Sequence, residues 1–152
     1  ILGCGVPLAS AFGKVDYCRV GCDVSLDWDD KPYMRLTHRE RVSTRNTIME
    51  TVFRRQLNGR DFLSDPDVFL LREDNTGMTA AQKMALGEVN ASAGSVLFTS
   101  DDVSAYGENE KRIFNGIMRM RSAEIISAAL DDDELIVSYM LGEKLITRTY
   151  KL

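Results

Sequence analysis

Apolar positions fall into short runs separated by longer amphipathic stretches through the first two thirds of the chain, and into closely spaced β-prone runs in the last third. Four runs predict strands. They are residues 1–4, residues 15–20, a patch from Asp61-Phe62-Leu63-Ser64 through Asp65-Pro66-Asp67 to Leu71, and residues 95–99, ending at Ser100-Asp101-Asp102. Helices are predicted between and after them. Thr37-His38-Arg39-Glu40 fits a capping box; Val42, Met49, Val52 and Phe53 continue it as a stripe, and Asn58-Gly59 supplies a left-handed stop. Thr79-Ala80-Ala81-Gln82 is a second capping box, opening a helix to about Ser92, and Lys111 to Met120 is a third helical segment. The stretch from Val24 to Leu36, with Trp28 and Pro32, lacks a period and predicts an elaborated loop.

The pattern changes after about Ser122. Ile125-Ile126, Leu135-Ile136-Val137 and Leu145-Ile146 are separated by Asp131-Asp132-Asp133 and by Leu141-Gly142-Glu143, which predicts a small antiparallel sheet with a tight second hairpin. Strand–helix alternation implies parallel strands. About four such units are half of what a (β/α)8 barrel requires. The expected architecture is therefore α/β: the second half of a TIM barrel over residues 1–121, then the start of a C-terminal antiparallel β-domain over residues 122–152. The opening Ile1-Leu2-Gly3-Cys4-Gly5 has no initiator methionine and reads as a strand cut open, so the chain is expected to be a piece of a longer protein.

Composition narrows the function classes. The 152 residues suffice for one domain with a core. Nineteen basic against 23 acidic side chains give a net charge of −4, which argues against nucleic-acid partners. No apolar run approaches the roughly 18 residues of a membrane helix; neither a signal peptide nor a membrane partner is expected. Cys4, Cys18 and Cys22 are an odd set without later partners, pointing to a reduced, cytoplasmic setting. The lone His38 cannot complete a metal cluster with them; no metal and no cofactor are expected.

Barrel active sites lie at the carboxyl ends of strands, and each predicted strand here ends in polar or special residues. The sharpest is Arg19-Val20-Gly21-Cys22-Asp23, where a fixed cation and a carboxyl four residues apart bracket a glycine. Arg19 would lower the pKa of Asp23, whereas burial or a neighbouring carboxylate would raise it. Asp65 and Asp67 around Pro66 read first as a turn whose carboxylates cap local amides, with Asp65 the better site candidate of the two. Asp101 and Asp102 read first as caps of the following helix. Trp28 either stacks on a ligand or packs in the loop.

Taken together, Ile1-Leu2-Gly3-Cys4-Gly5-Val6-Pro7, Val15-Asp16, Arg19 to Asp23, Asp65-Pro66-Asp67 and Ser100-Asp101-Asp102 resemble the later half of the bacterial α-galactosidases of glycoside hydrolase family 36. The match is ordered over residues 1–105 and weaker toward the C-terminus. The resemblance implies a retaining glycosidase of α-galactoside oligosaccharides such as melibiose and raffinose, homo-oligomeric in its full-length parent. It gives Asp23 the role of acid/base, Arg19 a place near the nucleophile and sugar hydroxyls, and Cys4 a sugar contact. Cys22 stands where the family often has proline. The family's nucleophile comes in a Lys-x-Asp strand end; Lys14-Val15-Asp16 has those letters but opens a strand, so no nucleophile is assigned and the isolated chain is expected to be inactive. Two other readings stand beside this one. One is a non-catalytic sugar-binding or assembly module. The other is a related barrel enzyme, an α-N-acetylgalactosaminidase or a raffinose-family glycosyltransferase.

Overall fold

The computed structural model describes residues 1–31, 36 and 42–152. Its elements are β1 (Leu2–Gly3), α1 (Leu8–Ala11), β2 (Tyr17–Arg19), α2 (Thr44–Phe53), β3 (Leu63–Asp65), β4 (Val68–Phe69), α3 (Ala80–Ala93), β5 (Phe98–Thr99), α4 (Glu108–Met120), β6 (Ala123–Asp131), β7 (Glu134–Leu141) and β8 (Lys144–Lys151). Single 3-10 turns lie at Arg55–Leu57 and Val103–Ala105. None of the described helices is long and apolar enough to cross a membrane.

The first five strands are short and parallel. β1, β2 and β3 form one sheet in that order, and β4 pairs with β5 in another. The single apolar patch expected from Asp61 to Leu71 is thus divided at Pro66, which has no amide to continue a ladder; its two halves pair with different neighbours. The last strand of this region is also shorter than expected, beginning at Phe98. β6, β7 and β8 make an antiparallel meander with two-residue turns at Asp132-Asp133 and Gly142-Glu143. Positive φ values of 49° at Asp132 and 61° at Gly142 let the chain reverse there. Alternation in β7 is strict: Leu135, Val137 and Tyr139 are buried, and the intervening residues are less so.

α3 opens with the expected capping box, Thr79 and Gln82 satisfying each other's amides. The capping box expected at Thr37 to Glu40, with His38, lies outside the described residues. The expected stripe through α2 is corrected in two ways. Phe53 is 44% exposed, and the helix buries Thr44, Thr47 and Thr51 alongside Ile48 and Val52. These threonines are tolerated inside because each hydroxyl donates to a carbonyl: Thr44 to Asp27, Thr47 to Asp23 and Thr51 to Thr47. The helix therefore supports the loop after β2 with a polar face. It also stops before Asn58-Gly59, although Gly59 takes the expected positive φ of 75°.

One hydrophobic cluster joins the helices to the meander. It contains Ile48 and Val52 of α2, Phe69 of β4, Leu86 and Val89 of α3, Ile117 of α4 and Leu135, Val137 and Tyr139 of β7. A smaller cluster of Ala11, Cys18, Val20 and Phe62 lies under β1, β2 and β3.

Candidate active site

The pairing of β2 with β3 places Arg19 opposite Asp65, and the Val20 amide extends that ladder to the Asp65 carbonyl at 3.0 Å. The chain then passes close over α2. A Cβ on Gly21 would lie 2.5 Å from Thr47 Cγ2, so only glycine fits there without displacement. Asp23 follows with a φ of 95°, a conformation that costs a non-glycine residue on the order of 1–3 kcal/mol. Three bonds hold it there: Thr47 Oγ1 donates to the Asp23 carbonyl at 2.9 Å, the Val24 amide donates to Asp67 Oδ2 at 2.8 Å, and the Ser25 amide donates to Thr44 Oγ1 at 3.0 Å.

Arg19 organises three carboxyl groups with one planar fork. Nη1 meets Asp23 Oδ1 at 2.8 Å, Nη2 meets Asp67 Oδ1 at 3.0 Å, and Nε lies 3.8 Å from Asp65 Oδ2. Asp65 and Asp67 are buried, at 1% and 3% exposure, whereas half of the Asp23 side chain faces solvent. The Asp23 carboxyl is pushed up to about 6. A hydrogen bond shared with the Asp67 carboxyl is the main cause, reinforced by burial and by the Asp67 charge, and together these outweigh the opposing pull of Arg19. Burial likewise raises Asp65.

A cavity of about 350 Å³ opens beside this cluster, lined by Cys4, Gly5, Arg19, Gly21, Cys22, Asp23 and Val42. The structure therefore brings together Arg19, Asp23 and Cys4. Asp65 joins them from behind, through Arg19, and does not line the cavity. Trp28 stands apart: it is partly buried against the main hydrophobic cluster, and its carbonyl accepts the Arg45 amide. Asp102 accepts the Ser104 amide, as expected of a cap. Asp101 instead clamps the end of β4, accepting from the Leu71 and Arg72 amides and from the Tyr106 hydroxyl. A larger cavity of about 630 Å³ near Arg72, Asp102 and Tyr106 contains none of Arg19, Asp23 and Cys4. Chemistry, and not size, selects the smaller one.

Sequence reasoning underrated Asp67 and missed Thr47 and Asn90. Asn90, fully buried in α3, donates to the Asp67 and Val68 carbonyls at 3.2 Å each. The second aspartate of Asp65-Pro66-Asp67 was the available signal. No signal marked Thr47 or Asn90, because each acts through a fold contact.

No family model matches the chain. Among solved structures it is similar to TtGalA, the α-galactosidase of Thermus thermophilus in complex with p-nitrophenyl α-D-galactopyranoside. The TM-score is 0.70 at 25% identity, over 95% of this chain. The chain spans 29% of that enzyme's length. Its mixed helices and strands, with an antiparallel sheet at the C-terminus, thus form an α-galactosidase-like fold.

Proposed function

We propose that this chain supplies the acid/base portion of a retaining α-galactosidase of the family 36 type, its parallel strands being part of a (β/α)8 barrel. The observation that carries the reading is the convergence of Arg19, Asp23 and Cys4 on one cavity beyond the ends of β1 and β2. A retaining acid/base must give a proton to the leaving oxygen and then take one from water. A carboxyl near pKa 6, half exposed to the cavity, is suited to both steps. Arg19 stays charged and keeps the Asp23 oxygen aimed. Its remaining carboxylate partners are buried and committed, Asp67 to the Val24 amide and Asp65 to the Asp67 amide. Among the described residues neither lines the cavity, and on this reading the attacking carboxylate is supplied by another part of a longer parent enzyme. Cys4 then contacts the sugar, and α-galactoside oligosaccharides are the substrates.

The test uses nitrophenyl and natural α-galactosides. The 152-residue chain alone should release no nitrophenol. In a longer enzyme carrying it, Asp23→Ala should slow hydrolysis of natural oligosaccharides by about 10²–10⁴-fold. The loss should be smaller for the nitrophenyl galactoside, whose leaving group needs little protonation. Equal rates before and after substitution on both substrates would sink the assignment.

A further inference from the structure

We infer that Asp67 is a positioning residue for Asp23: one buried carboxylate bridges Arg19 and the backbone immediately after Asp23, and so sets where the Asp23 carboxyl points. The inference rests on the acid/base reading of Asp23 for its functional meaning, but not for its test. Asp67 Oδ1 engages Arg19 Nη2 at 3.0 Å while Oδ2 accepts the Val24 amide at 2.8 Å. Arg19 Nη1 in turn holds Asp23. Asp23 is thus gripped from both sides, through its side chain by Arg19 and through its following peptide by Asp67.

The support behind Asp67 is equally specific. It has a φ of 71°, unusual for a residue with a side chain. Its amide donates to Asp65 Oδ1 at 2.8 Å, and its carbonyl accepts from Asn90 of α3. Pro66 beside it fills the space over Gly94, where a Cβ would come within 2.5 Å of the proline ring. A residue that only capped its own turn would need none of this.

Among the described residues, the groups around Asp23 are few. Arg19 reaches it from β2, Asp67 and Asp65 from the end of β3, Cys4 from the end of β1 and Cys22 from its own loop. α2 contributes the uncharged Thr47 to its carbonyl. Within this set Asp67 is the main cause of the raised proton affinity of Asp23.

The experiment is a carbon-detected NMR titration of the aspartate carboxyls in the 152-residue chain and in its Asp67→Asn variant. The unsubstituted Asp23 should titrate near 6. In Asp67→Asn, which keeps an oxygen for Val24, the midpoint should fall toward the ordinary aspartate value of about 4, a shift of nearly 100-fold in proton affinity. An unmoved midpoint would overturn the inference. Should the variant fail to fold, the unsubstituted protein decides. Its Asp23 midpoint should lie near 6, and a midpoint at the ordinary aspartate value of about 4 would count as refutation. Neither arm involves hydrolysis. Failure here leaves the glycosidase reading standing, and failure of the glycosidase assay leaves this coupling standing.

Discussion

At the scale of single residues, the cluster around Arg19 packs three carboxyls onto one cation, and the surplus negative charge appears as proton affinity. The unfolded chain should bind a proton at Asp23 near pKa 3.9, whereas the native chain binds it near 6. Between those values the native state holds more protons, so this residue makes stability fall as pH rises from about 4 to about 6. Asp65, also raised, acts in the same sense. Asp102, held down by its bond from Ser104, acts oppositely at lower pH. Asp23→Asn removes only the Asp23 share. Urea midpoints measured across this window should therefore drop less with rising pH in the variant than in the unsubstituted protein. Parallel curves would show that Asp23 titrates normally. The pair itself was legible in the sequence, because four residues separate Arg19 from Asp23 and a strand end can present both. Asp67 was not, because Asp65-Pro66-Asp67 also satisfies every local expectation of a turn: Asp65 accepts the Asp67 amide and Asp67 accepts the Val68 amide. Local capping and a tertiary role coexist in the same carboxylate, and only the placement of Arg19 exposes the second.

At the scale of elements, legibility tracked length and capping. α3 is fourteen residues long with a reciprocal cap, and its start was readable to the residue. β4 and β5 are two residues each, too short for any periodicity to define. The buried threonine face of α2 defeated a reading based on apolar spacing because its packing is against loop carbonyls. α3 offers a test in which propensity and packing disagree. Thr79→Ala deletes the cap and should cost about 1 kcal/mol. Gly87→Ala should, on propensity alone, stabilise the helix by roughly 0.5–1 kcal/mol. Yet a Cβ there would lie 2.3 Å from Ile117 Cδ1, 3.0 Å from its Cγ1 and 3.6 Å from Phe69, and Ile117 is itself buried. Overpacking of this kind costs about 1–3 kcal/mol, so packing wins. Gly87→Ala should be the more damaging of the two in urea denaturation. A stabilised Gly87→Ala would mean that α3 and α4 are more loosely packed than this contact requires.

At the scale of the whole molecule, the change of pattern near Ser122 marks a change of secondary structure but not a break in the core. β7 points Leu135, Val137 and Tyr139 into the same cluster that Leu86, Val89 and Ile117 line from the helices. Polar contacts cross the same junction: the Tyr150 hydroxyl donates to Glu88 Oε2 at 2.8 Å, and Arg45 pairs with Asp133 at 2.8 Å. The first of these holds the far end of the meander against α3, and the second ties its first turn to α2, whose neighbouring Thr44 and Thr47 steady the loop of Asp23. The sheet therefore belongs energetically to the scaffold of the site. Leu135 is fully buried at the centre of this arrangement. Leu135→Ala should cost about 2–5 kcal/mol, and the loss should be felt on both sides of the junction. In amide hydrogen exchange, the slowest amides of α3 and of β7 should accelerate together and by similar factors, because one cooperative unit opens as a whole. Acceleration confined to the meander, with α3 unchanged, would show instead that the sheet and the helices unfold separately and that the shared cluster is only a contact surface.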